Sequence, residues 1–74
     1  MPLTADQLER LMQLLIMFGV KKEEVIQIAI AMETQEMLLE YLDRISERNY
    51  DMTPEELYDL AGRILAESQA AQSI

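Results

Sequence analysis

The sequence predicts an all-α fold, a small four-helix bundle or orthogonal helical array that forms a homodimer. Apolar residues recur at helical spacing along most of the chain, and no alternating strand pattern occurs. Four segments have the features of helix starts. The 74 residues are enough for one domain, but they carry more apolar helix surface than one copy of this size is expected to bury. This excess is why a dimer is expected.

The first predicted helix spans residues 4–18. Thr4 is expected to cap its start, because a threonine hydroxyl accepts a hydrogen bond from a free first-turn amide. Gly19 supplies the left-handed residue with which many helices end. Such an ending brings the chain back on itself, so Val20 is expected to pack on Leu15.

The second and third helices are predicted at residues 21–32 and 34–48, with no Gly or Pro between them. Lys21 is a poor cap for the second helix, whereas Thr34 is a good cap for the third. The apolar stripe of the second helix would reach positions 36 and 40 in a continuous helix, and both positions hold glutamate. A kink or short turn near residue 33 is therefore predicted.

The fourth helix is predicted at residues 53–68 and completes a single domain over residues 1–68. Thr53 is its expected cap, Pro54 suits the first helical position, and Glu56 is placed to accept from the cap amide. Residues 69–74 lose the apolar stripe and are predicted to form a frayed tail.

Composition argues against catalysis and against several classes of ligand. The chain has no cysteine and no histidine, so it lacks disulfides, a thiol nucleophile, an imidazole base and the usual zinc ligands. Its two glycines do not form a phosphate-binding loop. We therefore expect no enzyme activity, no cofactor, no metal and no small-molecule substrate.

The charge balance and the hydropathy give expectations about partners and location. Fourteen acidic residues against six basic ones give a net charge of −8, which repels nucleic acid and anionic membranes. No apolar run is long enough to span a bilayer, and the N-terminus does not resemble a signal peptide. The sequence therefore predicts a cytoplasmic protein that contacts neither nucleic acid nor membrane directly.

Two segments are apolar around the whole helix, residues 14–18 and residues 26–32, interrupted only by Gln27. A helix that is apolar on every side must be buried on every side. The sequence therefore predicts a non-catalytic protein–protein interaction module that binds a second copy or another protein partner through its first two helices. The expected contact residues are Leu14, Ile16, Met17, Phe18, Ile26 and Ile30.

Two alternative functions remain open. An acidic inhibitor or regulator of the phage or mobile-element type would occupy a basic nucleic-acid-binding site through a negative face formed by Glu33, Glu36, Glu40, Asp43 and Glu47. A degenerate helix-turn-helix regulator would span residues 25–42 and would rely on Arg44 and Arg48 as its cations. Residues 19–25 also resemble the segment before the first loop of acyl carrier proteins, but the Asp-Ser-Leu site that carries their prosthetic arm is absent.

Overall fold

The computed structural model describes residues 1–72 and contains four helices. They are α1 (Ala5–Met17), α2 (Lys22–Ala31), α3 (Gln35–Glu47) and α4 (Pro54–Gln72). The described residues include no strand, only an isolated bridge between Pro2 and Thr34. The predicted all-helical architecture is confirmed, and every helix boundary except one lies within a residue of its predicted position.

The exception is the end of α4, which continues to Gln72 instead of stopping at residue 68. Residues 69–72 are therefore helical, and the predicted boundary of the tail is wrong there. Alanine and glutamine are strong helix formers, so this segment keeps helical geometry without an apolar stripe. The last two residues of the predicted tail, 73–74, lie outside the described part of the chain.

The starts of α1 and α4 are closed by the same reciprocal pair of hydrogen bonds. In α1 the Gln7 amide donates to the Thr4 hydroxyl over 3.1 Å, and the Thr4 amide donates to the Gln7 side chain over 2.9 Å. In α4 Thr53 and Glu56 repeat this arrangement with the same two distances. The start of α2 differs, because Lys21 offers no side-chain cap. The predicted contrast between good and poor caps is confirmed.

Gly19 ends α1 in the left-handed conformation, with a φ of 86°. The amide of Val20 donates to the carbonyl oxygen of Leu15, and the amide of Gly19 donates to that of Ile16, both over 3.0 Å; these are the two hydrogen bonds of a Schellman ending. Val20 and Leu15 are both buried in the same hydrophobic cluster. The predicted return of the chain onto Leu15 is confirmed.

The end of α3 has the same hydrogen bonding but no glycine. Asn49 and Tyr50 both have positive φ values, 56° and 57°, and the Tyr50 amide donates to the Ile45 carbonyl oxygen over 3.0 Å. Asparagine tolerates this conformation better than most residues, whereas it costs a tyrosine free energy. The loop between α3 and α4 is therefore locally strained.

The predicted break between α2 and α3 is present. Met32 leaves helical geometry with a ψ of 77°. Thr34 then caps α3, because its hydroxyl accepts the Met37 amide over 3.2 Å. Two glutamates at positions 36 and 40 therefore lie on the exposed side of α3, where a continuous helix would have required apolar residues.

The core is a single hydrophobic cluster to which all four helices contribute. In the packing, α2 lies against α1 and α4, while α3 lies against α4. No buried polar side-chain atom in the described chain lacks a hydrogen-bond partner. The buried residues of the cluster are Leu11, Leu15, Val20, Val25, Ile28, Met32, Met37, Leu38, Tyr41, Ile45, Leu57, Ala61 and Ile64.

Candidate interaction surface

One copy of the chain leaves four of the six predicted contact residues on its surface. Ile16 and Met17 in α1 are 59% and 81% exposed, and Ile26 and Ile30 in α2 are 44% and 71% exposed. Single exposed apolar side chains are common on protein surfaces, whereas these four are large and lie on two neighbouring helices. The helices that carry them, α1 and α2, pack directly against each other.

Leu14 and Phe18, the other two predicted contact residues, are half-buried. Phe18 packs against the core of its own chain. It follows Leu11 by seven residues and Leu15 by three, so helical periodicity places it on the buried stripe of α1. Of the six predicted contact residues, the exposed ones are therefore the remaining four.

The two exposed isoleucines of α2 are Ile26 and Ile30, and we call them the α2 face. The buried side of this helix carries Val25, Ile28 and Met32. At 100° per residue the α2 face lies on the opposite side, with its two isoleucines one turn apart. Because both isoleucines are exposed, no helix within residues 1–72 covers the α2 face.

Unpaired charges lie at both ends of the α2 face. Lys21 and Lys22 are exposed at the start of α2, and Glu33 is exposed just after its end. None of the three takes part in an ion pair within residues 1–72, where the pairs involve the N-terminal amine and Arg10, Arg44 and Arg48. Glu23 and Glu24 follow the two lysines in the first turn of α2, so the start of the helix carries no net charge, whereas Glu33 makes its other end negative.

The five acidic residues of the alternative hypothesis are all exposed. Four of them fall within one narrow sector of α3 by helical periodicity, opposite the buried Tyr41 and Ile45. Two of the five are partly neutralised. Glu40 pairs with Arg44 over 2.9 Å, and the N-terminal amine lies 3.5 Å from Glu36. A backbone hydrogen bond and that amine lower the pKa of Glu36.

A shallow cleft of about 430 Å³ between α3 and α4 was not predicted from the sequence. It holds three of the six basic residues, Arg44, Arg48 and Arg63, together with three acidic residues and an apolar base of Met52 and Leu60. Arg44 binds Glu67 of α4 over 2.6 Å, and Arg48 binds Glu56 over the same distance. No sequence spacing signals these pairs, because they join different helices.

The electrostatics of this cleft are those of internal ion pairs. Hydrogen bonds to Glu67 and Glu40 raise the pKa of Arg44, and Arg44 lowers the pKa of Glu67. The Thr53 amide and the Arg48 guanidinium lower the pKa of Glu56 to about 2. The two arginines of the helix-turn-helix hypothesis are therefore bound to carboxylates of their own chain, and α3 packs mainly on α4 instead of α2.

Two further classes of site are absent from residues 1–72. No helix there has the length and apolar character needed to cross a membrane. No group of three acidic side chains lies close enough together to hold a metal ion. The surface features that bear on the predicted functions are the α2 face with Ile16 and Met17, the acidic side of α3 and the arginine-lined cleft.

The chain matches no protein-family model, no curated protein and no solved structure at a significant level.

Proposed function

We propose that this chain is a non-catalytic protein–protein interaction module that self-associates through the exposed apolar residues of α1 and α2. The observation that carries the proposal is that Ile16, Met17, Ile26 and Ile30 remain exposed after α1 and α2 have packed against each other. These residues belong to the two segments whose all-round apolar character predicted burial against a partner.

The energetics support this proposal. Covering a large aliphatic side chain is worth about 1.5–3 kcal/mol, whereas the core of such a small domain supplies only about 3–5 kcal/mol. The chain exposes 5151 Å², and a compact monomer of 8.6 kDa is expected to expose about 4,700 Å². A partner that covers the four residues would therefore contribute stability comparable with that of the core.

Analytical ultracentrifugation over a micromolar to submillimolar range tests the proposal. The wild-type chain is expected to sediment as a concentration-dependent dimer, and Ile26→Ser combined with Ile30→Ser is expected to shift it to a monomer. Leu39→Ser is the matched control, because Leu39 is 61% exposed but lies on α3. A wild-type chain that stays monomeric throughout would remove the basis of the proposal.

A second candidate function is occupation of a basic nucleic-acid-binding site on another protein. It is favoured by the acidic side of α3, where Glu36, Glu40, Asp43 and Glu47 are exposed on one sector of a helix in a chain of net charge −8. Regularly spaced carboxylates on a rigid helix present negative charge to a partner's basic groove, as a phosphate backbone does. The ion pair of Glu40 with Arg44 reduces this charge.

Competition with duplex DNA tests this second candidate. A basic partner captured from cell extract by the immobilised chain should be released by duplex DNA and by raised salt, because both compete for the same cationic groove. Asp43→Lys with Glu47→Lys should abolish capture. Asp6→Lys with Glu9→Lys, on α1, is the matched control for total charge, and equal loss with both pairs would argue for nonspecific attraction.

A further inference from the structure

We propose that Met17 is a modification site, at which a peroxide oxidises the thioether of the folded chain to a sulfoxide and thereby weakens association through α1 and α2. The effect on association rests on the proposed function, whereas the reactivity of the sulfur follows from its exposure alone. Met17 is 81% exposed at the end of α1, next to the exposed Ile16.

Methionine sulfurs are the groups of this chain that a peroxide oxidises most readily. The sequence contains six methionines and no cysteine, whose thiolate would otherwise compete for the oxidant. The thioether sulfur takes one oxygen atom from hydrogen peroxide and becomes a sulfoxide, while the peroxide is reduced to water. The peroxide supplies both the oxygen and the oxidising power, so the step needs no other reactant.

The fold divides the methionines by exposure. Met32 and Met37 are 2% and 7% exposed and belong to the hydrophobic cluster, so an oxidant contacts their sulfurs only when the chain opens. Two others are partly buried against that cluster. Met1 and Met17 are 76% and 81% exposed. Of these two, Met17 is the one that belongs to the exposed apolar residues of α1 and α2, so its oxidation changes that surface.

Oxidation of Met17 alters the surface and leaves the core intact. Met17 is not part of the hydrophobic cluster, so a sulfoxide there displaces no core contact. The new oxygen converts an apolar side chain into a polar one that needs a hydrogen-bond donor when it is covered. A partner that covers Met17 with apolar side chains supplies no donor and therefore binds the oxidised chain less tightly. Methionine sulfoxide reductases restore the thioether, which makes the change reversible.

Peptide mass spectrometry after graded treatment with hydrogen peroxide tests the site. The folded chain is treated at low protein concentration, so that association does not cover Met17. Met17 should be half oxidised in about a tenth of the treatment time needed by Met32 and Met37, because oxidation of those two requires local unfolding. In denaturing urea the three sulfurs should react at similar rates. Equal rates in the folded chain would overturn the site.

Ultracentrifugation of the treated chain tests the effect on association. Oxidation of Met17 with Met32 and Met37 still intact should raise the dimer dissociation constant by about tenfold or more, because a covered sulfoxide oxygen lacks a donor. The two methionine sulfoxide reductases, one for each sulfoxide epimer, should restore it. Met17→Leu is the matched control, since leucine keeps the volume and the apolar surface but forms no sulfoxide, while Met1 is still exposed to the oxidant. This variant should associate equally before and after treatment.

The possible results separate this site from the self-association itself. An untreated chain that stays monomeric at every concentration would overturn the self-association and, with it, the effect of oxidation. A dimer that is unchanged after complete oxidation of Met17 would overturn the effect of oxidation alone. Equal weakening of wild type and Met17→Leu by peroxide would do the same, because the responsible sulfur would then lie elsewhere.

Discussion

The hydroxyl of Tyr41 in α3 donates a hydrogen bond of 2.7 Å to the backbone carbonyl oxygen of Leu57 in the first turn of α4. Both residues are fully buried, with 0% and 1% exposure. Burial raises the pKa of Tyr41 well above the ordinary value of a phenol. This bond joins α3 to the first turn of α4, and it satisfies the one polar side-chain atom among the residues of the buried core cluster.

Tyr41→Phe should therefore lower the free energy of unfolding by about 1 kcal/mol, the usual net value of one intramolecular hydrogen bond. The ring still fills its space, so no cavity adds to this cost. Urea titration followed by circular dichroism measures the change. Tyr58→Phe is the control, since the Tyr58 hydroxyl also donates a hydrogen bond, to the Gln27 side chain, but at an exposed site. Equal losses in both variants would show that burial does not distinguish the two bonds.

Glu56 should make stability depend on pH in the acid range. Its pKa is lowered from 4.5 to about 2, first by the Thr53 amide and then by Arg48. Because the folded pKa lies below the unfolded one, the stabilisation is fully present above about pH 4.5 and is lost as pH falls towards 2. Glu56→Gln should flatten the decline of the melting temperature across this window.

The Gln7 side chain of α1 shows that glutamine can fill the same capping position, so Glu56→Gln removes the charge and leaves the geometry possible. Glu55→Gln is the matched control, because Glu55 is exposed in the same turn and forms no ion pair in the described chain. A melting temperature that declines equally steeply in wild type and Glu56→Gln would contradict the assignment to Glu56.

Hydrogen bonds between residues close in sequence could be predicted from the sequence, whereas contacts between helices could not. Thr4, Thr53 and Gly19 act on residues three to five positions away, so their spacing alone predicts their hydrogen bonds. Arg44 and Glu67 are 23 residues apart and meet only because α3 and α4 pack together. The arginine-lined cleft depends on such pairs, and for that reason no pattern in the sequence indicated it.

The same limit applies to the interaction surface. The apolar run at residues 14–18 predicted more apolar surface than the core would take, and Ile16 and Met17 are indeed exposed. A run that is apolar on every side carries no information on which side will meet the core. The packing of α1 on α2 decides it, and this packing leaves Phe18 against the core and Met17 exposed.

The two glycines should respond to alanine with opposite signs. Gly19 has a φ of 86°, and an alanine there should cost about 1–2 kcal/mol because its side chain crowds the backbone in the left-handed region. Gly62 lies inside α4, and a Cβ at that position would meet nothing within 4 Å. Gly62→Ala should therefore stabilise the chain by up to about 1 kcal/mol.

Thermal unfolding of both glycine variants measures these effects at a single low protein concentration, so that association contributes equally. The nearest atom to a Cβ at position 19 is a Pro54 ring carbon at 3.7 Å, an ordinary contact distance. The loss in Gly19→Ala is therefore assigned to backbone conformation alone. A Gly62→Ala variant that is less stable than wild type would indicate that another molecule approaches α4 closely at that position.

Met17 and Phe18 are adjacent in sequence but should have separable roles. Met17 is 81% exposed, whereas Phe18 packs against the core. Phe18→Ala should lower the free energy of unfolding by about 2 kcal/mol, less than the cost for a fully buried phenylalanine. Met17→Ala should change the stability of the monomer by no more than about 0.5 kcal/mol, as for most surface substitutions, but should weaken the proposed dimer.

Two measurements on each variant separate these effects, urea unfolding at low concentration and ultracentrifugation at high concentration. Met17→Ala is expected to change only the ultracentrifugation result, because Met17 is 81% exposed and is not part of the hydrophobic cluster. Phe18→Ala is expected to lower the stability measured by urea unfolding. It should change association only indirectly, through loosening of the end of α1. If Met17→Ala destabilised the isolated chain as much as Phe18→Ala, Met17 would be acting in the fold, and the surface proposed for the partner would lose its most exposed member.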